Sequence, residues 1–340
     1  MELLLIILIG LVMAPTLYVA GLHDVPNSIA IPVRTRALTP RLAVGVAAVF
    51  NALGVLMALP LGIYLFTWFE FPQMDPGVTL AVILSTLLTV LGWNVFTYFR
   101  GMPTSMTHSL LAALLGGSLA AVFATDVSAS EILALPWLNP LLTLLLSPLV
   151  AFGVAYLLVF LAVRIARGED PDDVNRIARG LQSVSVGVTS LGTGLQQGQR
   201  FAFLLIVALS AAGVADPASW MALAYIAFAL LIGAGAWHGG WRIGHVLAHR
   251  LVAIDPLRGM VATATTSALL FVGSLGLALP LSTSLTAASA IIAAGSNQRF
   301  ATLNWRQMRR IAIFWAATPL VAAGAAAILT TCLVPLVQPS

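Results

Sequence analysis

The sequence predicts an all-α polytopic membrane protein with about ten crossings, arranged as two halves of inverted topology containing broken or re-entrant helices. Three observations carry this expectation. First, 60% of the 340 residues are apolar and only 8% charged, with a mean hydropathy of +1.00. A water-soluble domain carries about 25% charged residues, so this chain cannot cover its own surface in water. Second, uncharged stretches long enough to cross a bilayer recur from one end to the other. Third, two short motifs containing helix breakers reappear about half a chain apart.

A helix needs about 20 apolar residues to cross a hydrocarbon core of roughly 30 Å. Uncharged runs cover residues 3–23, 42–66, 77–99, 102–125, 132–163, 217–241, 259–298 and 311–340, and 180–215 is broken only by Arg200. The N-terminal run imitates a signal peptide with a cleavage step at Val19–Ala20–Gly21. It has Glu2 where a basic region belongs, so a retained first helix is expected. The run 259–298 has 40 residues. At 1.5 Å per residue it is about 60 Å long, so it crosses twice or crosses once and re-enters. Pro280 with Ser282, Thr283 and Ser284 marks where it turns.

The charges sort the loops. Net charge is +4, from 16 arginines and no lysine, too few and too scattered for nucleic acid. Arginine loops (Arg34, Arg36, Arg41; Arg100; Arg164 to Arg179; Arg242, Arg250, Arg258; Arg299 to Arg310) alternate with acidic ones (Glu70, Asp75; Asp126, Glu131; Asp216). Placing every arginine loop in the cytoplasm leaves both termini outside a cell membrane. A single cysteine, Cys332, excludes a disulfide framework and any cysteine-based metal site. No resident metal or cofactor is expected. Only a membrane-embedded enzyme survives the composition, and no nucleophile or metal set supports even that.

The hydrophilic linker falls near the midpoint and divides the chain into 1–165, a cytoplasmic linker 166–179, and 180–340. Met102–Pro103–Thr104–Ser105–Met106–Thr107 resembles Leu279–Pro280–Leu281–Ser282–Thr283–Ser284, 177 residues on, and Gly21 corresponds to Gly192, 171 residues on. By the loop charges, the first span runs inward and the sixth outward. The halves are therefore expected to be inverted, an arrangement that places a binding site between repeats near mid-membrane.

Asp24 is the carboxylate that falls inside a span. It precedes Arg34 by ten residues, about 15 Å of helix and half the hydrocarbon thickness. An ionised group there costs at least ~2.5 kcal/mol and marks an ion path. Gly21–Leu22–His23–Asp24–Val25–Pro26–Asn27–Ser28 mixes helix breakers with side-chain ligands. An unwound stretch is expected, with carbonyls free for a cation and amides free for an anion. His23 adjoins Asp24, and an imidazole is the ordinary proton carrier near neutral pH. The two Pro-x-Ser segments read as helix starts, whose free amides and hydroxyls form an anion site without any basic side chain. Asn51 and Asn94 are expected to bond between helices. His238, His245 and His249 fit an interfacial amphipathic helix better than a metal set, because Gly239–Gly240 separates the first from the other two. Arg200 fits either the cytoplasmic edge of a broken sixth span or a fixed charge near the anion.

These residues carry a resemblance. Gly21 to Ser28, with Arg36–Ala37–Leu38–Thr39–Pro40 and Ala47 to Gly54, resembles the first signature of the inorganic phosphate transporter (PiT) family, roughly G-x-[NH]-D-x-x-N. Gly101–Met102–Pro103–Thr104–Ser105–Met106–Thr107–His108 resembles that family's G-[LM]-P-x-S-x-[TS]-H element. Gly239 to Ile243 and Asp255–Pro256 more weakly resemble the approach to its second copy. The family's second G-A-N-D-x-Q-K falls on Gly192 to Gly198, where Gly194 and Leu195 replace Asn and Asp and Gln197 is retained. The second P-x-S-T-T-H reads Pro280 to Leu285 and lacks its histidine.

The resemblance implies symport of inorganic phosphate with a cation by alternating access, and the histidine form of the first motif is similar to the bacterial low-affinity, proton-coupled branch. It assigns Asp24 and His23 to the coupling ion, H⁺ in preference to Na⁺. Asn27, Ser28, Ser105, Thr107, His108, Gln197, Ser282, Thr283 and Ser284 would surround the phosphate. Whether a metal–phosphate complex is the true substrate stays open, as does a homodimer in the bilayer. Two rivals remain: a permease for another oxyanion such as sulfate, and a non-transporting accessory membrane protein with a degenerate second motif.

Overall fold

A computed structural model describes residues 2–61, 71–122, 138–273, 281–298, 300 and 302–337. Glu70, Asp126, Glu131, Pro280 and Arg299, used above for topology and for the re-entrant turn, lie outside the described residues. Apart from one antiparallel bridge between Val252 and Leu303, the regular structure described is helical. In chain order the helices are α1 (Glu2–Asp24), α2 (Pro26–Arg34), α3 (Pro40–Ala58), α4 (Pro76–Phe99), α5 (Met106–Ala121) and α6 (Leu138–Ile165). There follow α7 (Pro171–Ala211), α8 (Met221–Trp237), α9 (Trp241–His245), α10 (Pro256–Phe271), α11 (Thr283–Ser296) and α12 (Trp305–Val337).

Local chemistry sets many of these boundaries. Proline occupies the first turn of α2, α3, α4, α7 and α10, where its missing N–H is not needed. Side-chain oxygens of Thr39, Ser105, Asp170, Asp255 and Ser282 cap the following helices by accepting from backbone amides. Gly239 and Gly240, with φ of +91° and +57°, end α8 in the left-handed region and start α9.

Among the described residues, six segments are long and apolar enough to cross a membrane: Glu2–Arg34, Pro40–Leu61, Pro76–Phe99, Leu142–Ile165, Pro217–Trp237 and Trp305–Val337. Helices α5 and α11 are apolar but have only 16 and 14 residues, too few for a full crossing. Helix α7 has 41 residues, but a buried polar stripe lowers its hydropathy. Gln182, Ser185, Thr189, Thr193, Gln196 and Arg200 recur every three or four residues along one face.

The helices pack in pairs. Helix α3 lies on α7 as α1 lies on α8; α5 lies on α12 as α11 lies on α6; α1 lies on α4 as α7 lies on α10. The main apolar core runs between these pairs and includes Leu17, Val55, Leu110, Phe201 and Tyr225. A second core nearer the arginine-bearing loops gathers Ile31, Met102, Ile243, Leu251 and Ile291.

Two of the seams are zipped by glycine. Between lipid-embedded helices there is no aqueous hydrophobic drive, so close backbone packing supplies much of the attraction. A Cβ on Gly54 would lie 2.1 Å from the Leu191 carbonyl oxygen, and one on Gly194 would lie 2.1 Å from that of Asn51. The α1–α8 seam repeats this reciprocity through Gly21 against Ile232 and Gly235 against Tyr18. Gly235→Val should therefore destabilise the protein by about 2 kcal/mol or more, because a backbone carbonyl cannot step aside. Gly153→Ala, where nothing lies within 4 Å, should be neutral or slightly stabilising. Thermal unfolding of both variants in mild detergent checks the contrast.

Candidate functional site

The break between α1 and α2 is a kink, not the unwound stretch expected from sequence. Val25 sits between them with helical dihedrals (φ −55°, ψ −34°). Its amide still bonds to the Gly21 carbonyl at 3.1 Å, and Ile29 N–H reaches the Val25 carbonyl at 3.3 Å. Pro26 has no N–H to offer the Leu22 carbonyl, so one helical bond is lost. Its fixed φ suits a helix start, so the chain re-enters helix at once. Gly240 packs against this point; a Cβ there would lie 2.3 Å from the Leu22 carbonyl oxygen.

Asp24 sits at this kink and is 6% exposed. Gln197 of α7 donates from Nε2 to Asp24 Oδ2 at 2.8 Å, and to the Ala20 carbonyl at 3.2 Å. Ser284, in the first turn of α11, donates from Oγ to Asp24 Oδ1 at 3.4 Å and accepts from Asn27 Nδ2 at 2.9 Å. Ser190 of α7 donates to Ser28 Oγ at 3.0 Å, and Ser28 donates to the Val25 carbonyl. Both bonds to the Asp24 carboxyl are donated to it, the pattern an ionised carboxylate accepts.

His23 is fully buried and faces the other short helix. Its Nε2 lies 3.2 Å from Thr97 Oγ1 and 3.3 Å from Thr104 Oγ1, while Nδ1 lies 3.7 Å from Asp24 Oδ1. Thr104 precedes Ser105, whose Oγ caps α5 by accepting from the His108 amide; Ser282 caps α11 in the same way from Leu285. The starts of α5 and α11 thus meet the α1–α2 kink from two sides, one through His23 and one through Asp24. Thr107, His108 and Thr283 occupy the first turns of those helices. Among the described residues they make no bond to Asp24 or His23.

Among the described residues, several buried polar atoms on the helices that meet at the kink have no hydrogen-bond partner: His23 Nδ1, Asn27 Oδ1, His108 Nδ1, Gln197 Oε1 and Arg200 Nη1. Buried polar atoms are normally satisfied. Unfilled donors and acceptors here, beside two helix N-termini and a carboxylate, form an arrangement able to receive a small polar ion.

Arg200 is placed by the fold. It is 4% exposed and lies one turn beyond Gln197 on α7. The broken sixth span expected from sequence is instead the unbroken α7. The reason is packing: Gly194 faces the Asn51 backbone with no space for a side chain, and Leu195 is 3% exposed within the main core. The two positions that replace the second signature's Asn and Asp are seam and core.

Sequence reasoning missed Thr97, Thr104 and Ser190. Thr104 lay inside a quoted motif, and the 3–4 spacing of polar residues along α7 was the available signal for Ser190. Among the described residues Asn51 makes no bond to another helix, contrary to expectation. Its amide turns back to the Ala47 carbonyl at 3.1 Å, one turn earlier in the same helix. Asn94 does both, reaching the Val90 carbonyl at 2.7 Å and Ser109 Oγ at 3.4 Å. His245 and His249 lie on the exposed side of α9 and the π-turn after it, opposite the buried Ile243, Val246 and Leu247. Tyr18 meets His238 separately at 3.0 Å.

Comparison with known proteins gives a consistent result. The profile of the Phosphate transporter family matches residues 20–326. A probable low-affinity inorganic phosphate transporter of Rhizobium meliloti (strain 1021) is 31% identical over 321 residues, covering 93% of each chain. Its counterpart in Bacillus subtilis (strain 168) is 28% identical over 335 residues, covering 96% of this chain and 97% of the other. Among solved structures, one described as the sodium-dependent phosphate transporter has a TM-score of 0.70 at 17% identity, covering 97% of this chain and 98% of its own. At that identity the likeness speaks for the fold.

Restoring the family's Asn at the packed seam should therefore damage the protein without building a second ion site. Gly194→Asn is expected to lower folded yield and Tm, where an ordinary surface substitution changes stability by less than about 0.5 kcal/mol. Size-exclusion profiles and thermal melts of the variant check this.

Proposed function

Because the chain belongs to the phosphate transporter family, we propose that it carries inorganic phosphate across the cell membrane in symport with a cation, H⁺ in preference to Na⁺. It is a membrane protein and not an enzyme. The observation that carries the reading is the buried Asp24 carboxylate, which accepts bonds from Gln197 and Ser284 on helices far apart in sequence.

In this reading the molecule consists of two inverted repeats, 1–165 and 180–340, joined by the linker 166–179, with about ten crossings and both termini outside. The mirrored packing supports it: the larger pairings of α1 to α6 have counterparts when α1–α2, α3, α4, α5 and α6 are exchanged for α7, α8, α10, α11 and α12. The directions of the short helices support it as well. Helix α5 begins beside Arg242, which Gly101 approaches. Helix α11 ends beside Arg258, whose Nε donates to the Asn297 carbonyl at 2.9 Å. Arginine marks the cytoplasmic side, so one helix runs away from it and the other toward it.

The transport step follows from charge. A phosphate anion entering beside an ionised Asp24 meets like charge in a medium that screens little. A proton on Asp24 removes that repulsion. His23, with Nδ1 free and 3.7 Å from the carboxylate, is positioned to pass the proton. The fixed guanidinium of Arg200 offsets one negative charge permanently. Only one carboxylate then needs a movable cation, consistent with Leu195 standing where the family's second signature has Asp. Asn27, Ser28, Ser105, Thr107, His108, Gln197, Ser282, Thr283 and Ser284 would supply the phosphate's hydrogen-bonding shell, the two helix N-termini adding their amides. Rocking of the repeats about this point would expose it alternately to either side.

Asp24→Asn should abolish phosphate uptake into proteoliposomes, by about a hundredfold or more, while the variant keeps its wild-type elution profile and Tm. Undiminished uptake would overturn the assignment. In the wild type an imposed inward pH gradient should drive accumulation and a sodium gradient at constant pH should not; the reverse result assigns the cation site to Na⁺. Unlabelled sulfate in large excess should leave phosphate uptake almost unchanged.

A further inference from the structure

On the arginine-bearing face, away from the kink, Arg250, Asn304, Arg306, Gln307 and Arg310 line a cavity of about 560 Å³. It lies between the π-turn Val246–Arg250 and the first turns of α12. Backbone ties hold its two walls together: Asn304 N–H donates to the Leu251 carbonyl at 3.1 Å, and Val252 pairs with Leu303 in an antiparallel bridge. The Asn304 side chain caps α12 by accepting from the Gln307 amide at 3.1 Å. Arg306 and Arg310 are one turn apart and share a helix face.

The cavity concentrates positive charge with nothing to balance it. None of its lining residues is acidic, and the three ion pairs among the described residues involve none of its arginines. The N-terminal end of a 33-residue helix adds its partial positive charge. The cytoplasmic bias of arginine accounts for the three guanidinium groups being on this face. It does not account for Gln307, which is 7% exposed and whose Nε2 is a buried donor without a partner among the described residues. A buried amide donor left open among three arginines calls for an acceptor supplied from outside the chain. A phosphate group fits: its oxygens can receive several guanidinium and amide donors at once.

We propose that this cavity binds a phosphate group, either as free inorganic phosphate on the cytoplasmic side or as the headgroup of an anionic phospholipid. The site is separate from the one at Asp24, and its placement in the cytoplasm rests on the topology proposed above. It also has a path to the central site. On the same helix Trp315 donates from Nε1 to the Pro103 carbonyl at 2.8 Å, just ahead of the cap of α5. An occupant at the start of α12 therefore bears on the helix that meets His23.

The test uses the full-length protein in nanodiscs and separates the two sources. In discs of phosphatidylcholine alone, labelled phosphate should bind at two sites per chain; Asp24→Asn, neutral like the protonated acid, should keep both, and Arg306→Gln/Arg310→Gln should lose one. In discs mixing phosphatidylcholine with phosphatidylglycerol, native mass spectrometry should find phosphatidylglycerol retained by the wild type and not by the double variant if the headgroup is the occupant. Gln307→Leu should weaken whichever ligand binds by about tenfold. Either ligand lost with the double variant supports the proposal and identifies its source. If the double variant and Gln307→Leu bind both ligands as the wild type does, the proposal is overturned, whatever Asp24→Asn shows.

Discussion

A negative charge held away from water between two sets of helices is the constraint on which the rest of this structure depends. Asp24 is tolerable at its depth because Gln197 and Ser284 donate to its two oxygens. A lone buried carboxylate would cost several kcal/mol. Those donors come from α7 and α11, whereas Asp24 ends α1, so the bonds that make the charge bearable also join distant parts of the chain. Any movement that separates α1 from α11 changes how well the carboxylate is solvated. That is the coupling a transporter needs between the state of its ion site and the position of its helices.

The scaffold around the site is stiff where it has to be. Reciprocal glycines bring α1 onto α8 and α3 onto α7 at carbonyl contact, which fixes the depth of Gly21 and Gly194 and hence of the residues beside them. The kink removes the helical bond at Leu22 and turns the Ser28 amide to the Val25 carbonyl, and His23 and Asp24 on either side of it face different neighbours. The short helices α5 and α11 are enclosed by their neighbours along almost their whole length, and each begins with a serine cap.

The charged groups near the kink come from different helices. The Asp24 carboxylate and the His23 imidazole end α1, whereas the buried Arg200 guanidinium lies on α7. With Gly194 and Leu195 turned into packing surface, α7 runs straight through the region where a second broken helix would otherwise lie, and its polar stripe substitutes side chains for freed backbone groups. Ser190 and Gln197 of that helix bond to Ser28 and Asp24 at the α1–α2 kink.

The sequence by itself determined that this is a helical membrane protein, because 8% charge cannot solvate such a chain and the spacing of apolar runs matches a bilayer. It also singled out His23, Asp24, Asn27 and Ser284, since polar groups inside apolar spans are costly enough to stand out. Only the tertiary structure decided which of them meet. Asn27 and Ser284 are 257 residues apart, and no local rule pairs them. It decided that the first break is a kink, because whether a proline unwinds a helix depends on what packs against the freed carbonyl, here Gly240. It decided that Gly194 is a seam residue, since a glycine in sequence reads equally as a hinge or a contact until its neighbour is known. And it buried Arg200 one turn beyond Gln197, because the depth of a charge in a long helix is set by the helices it packs on and not by its own residues.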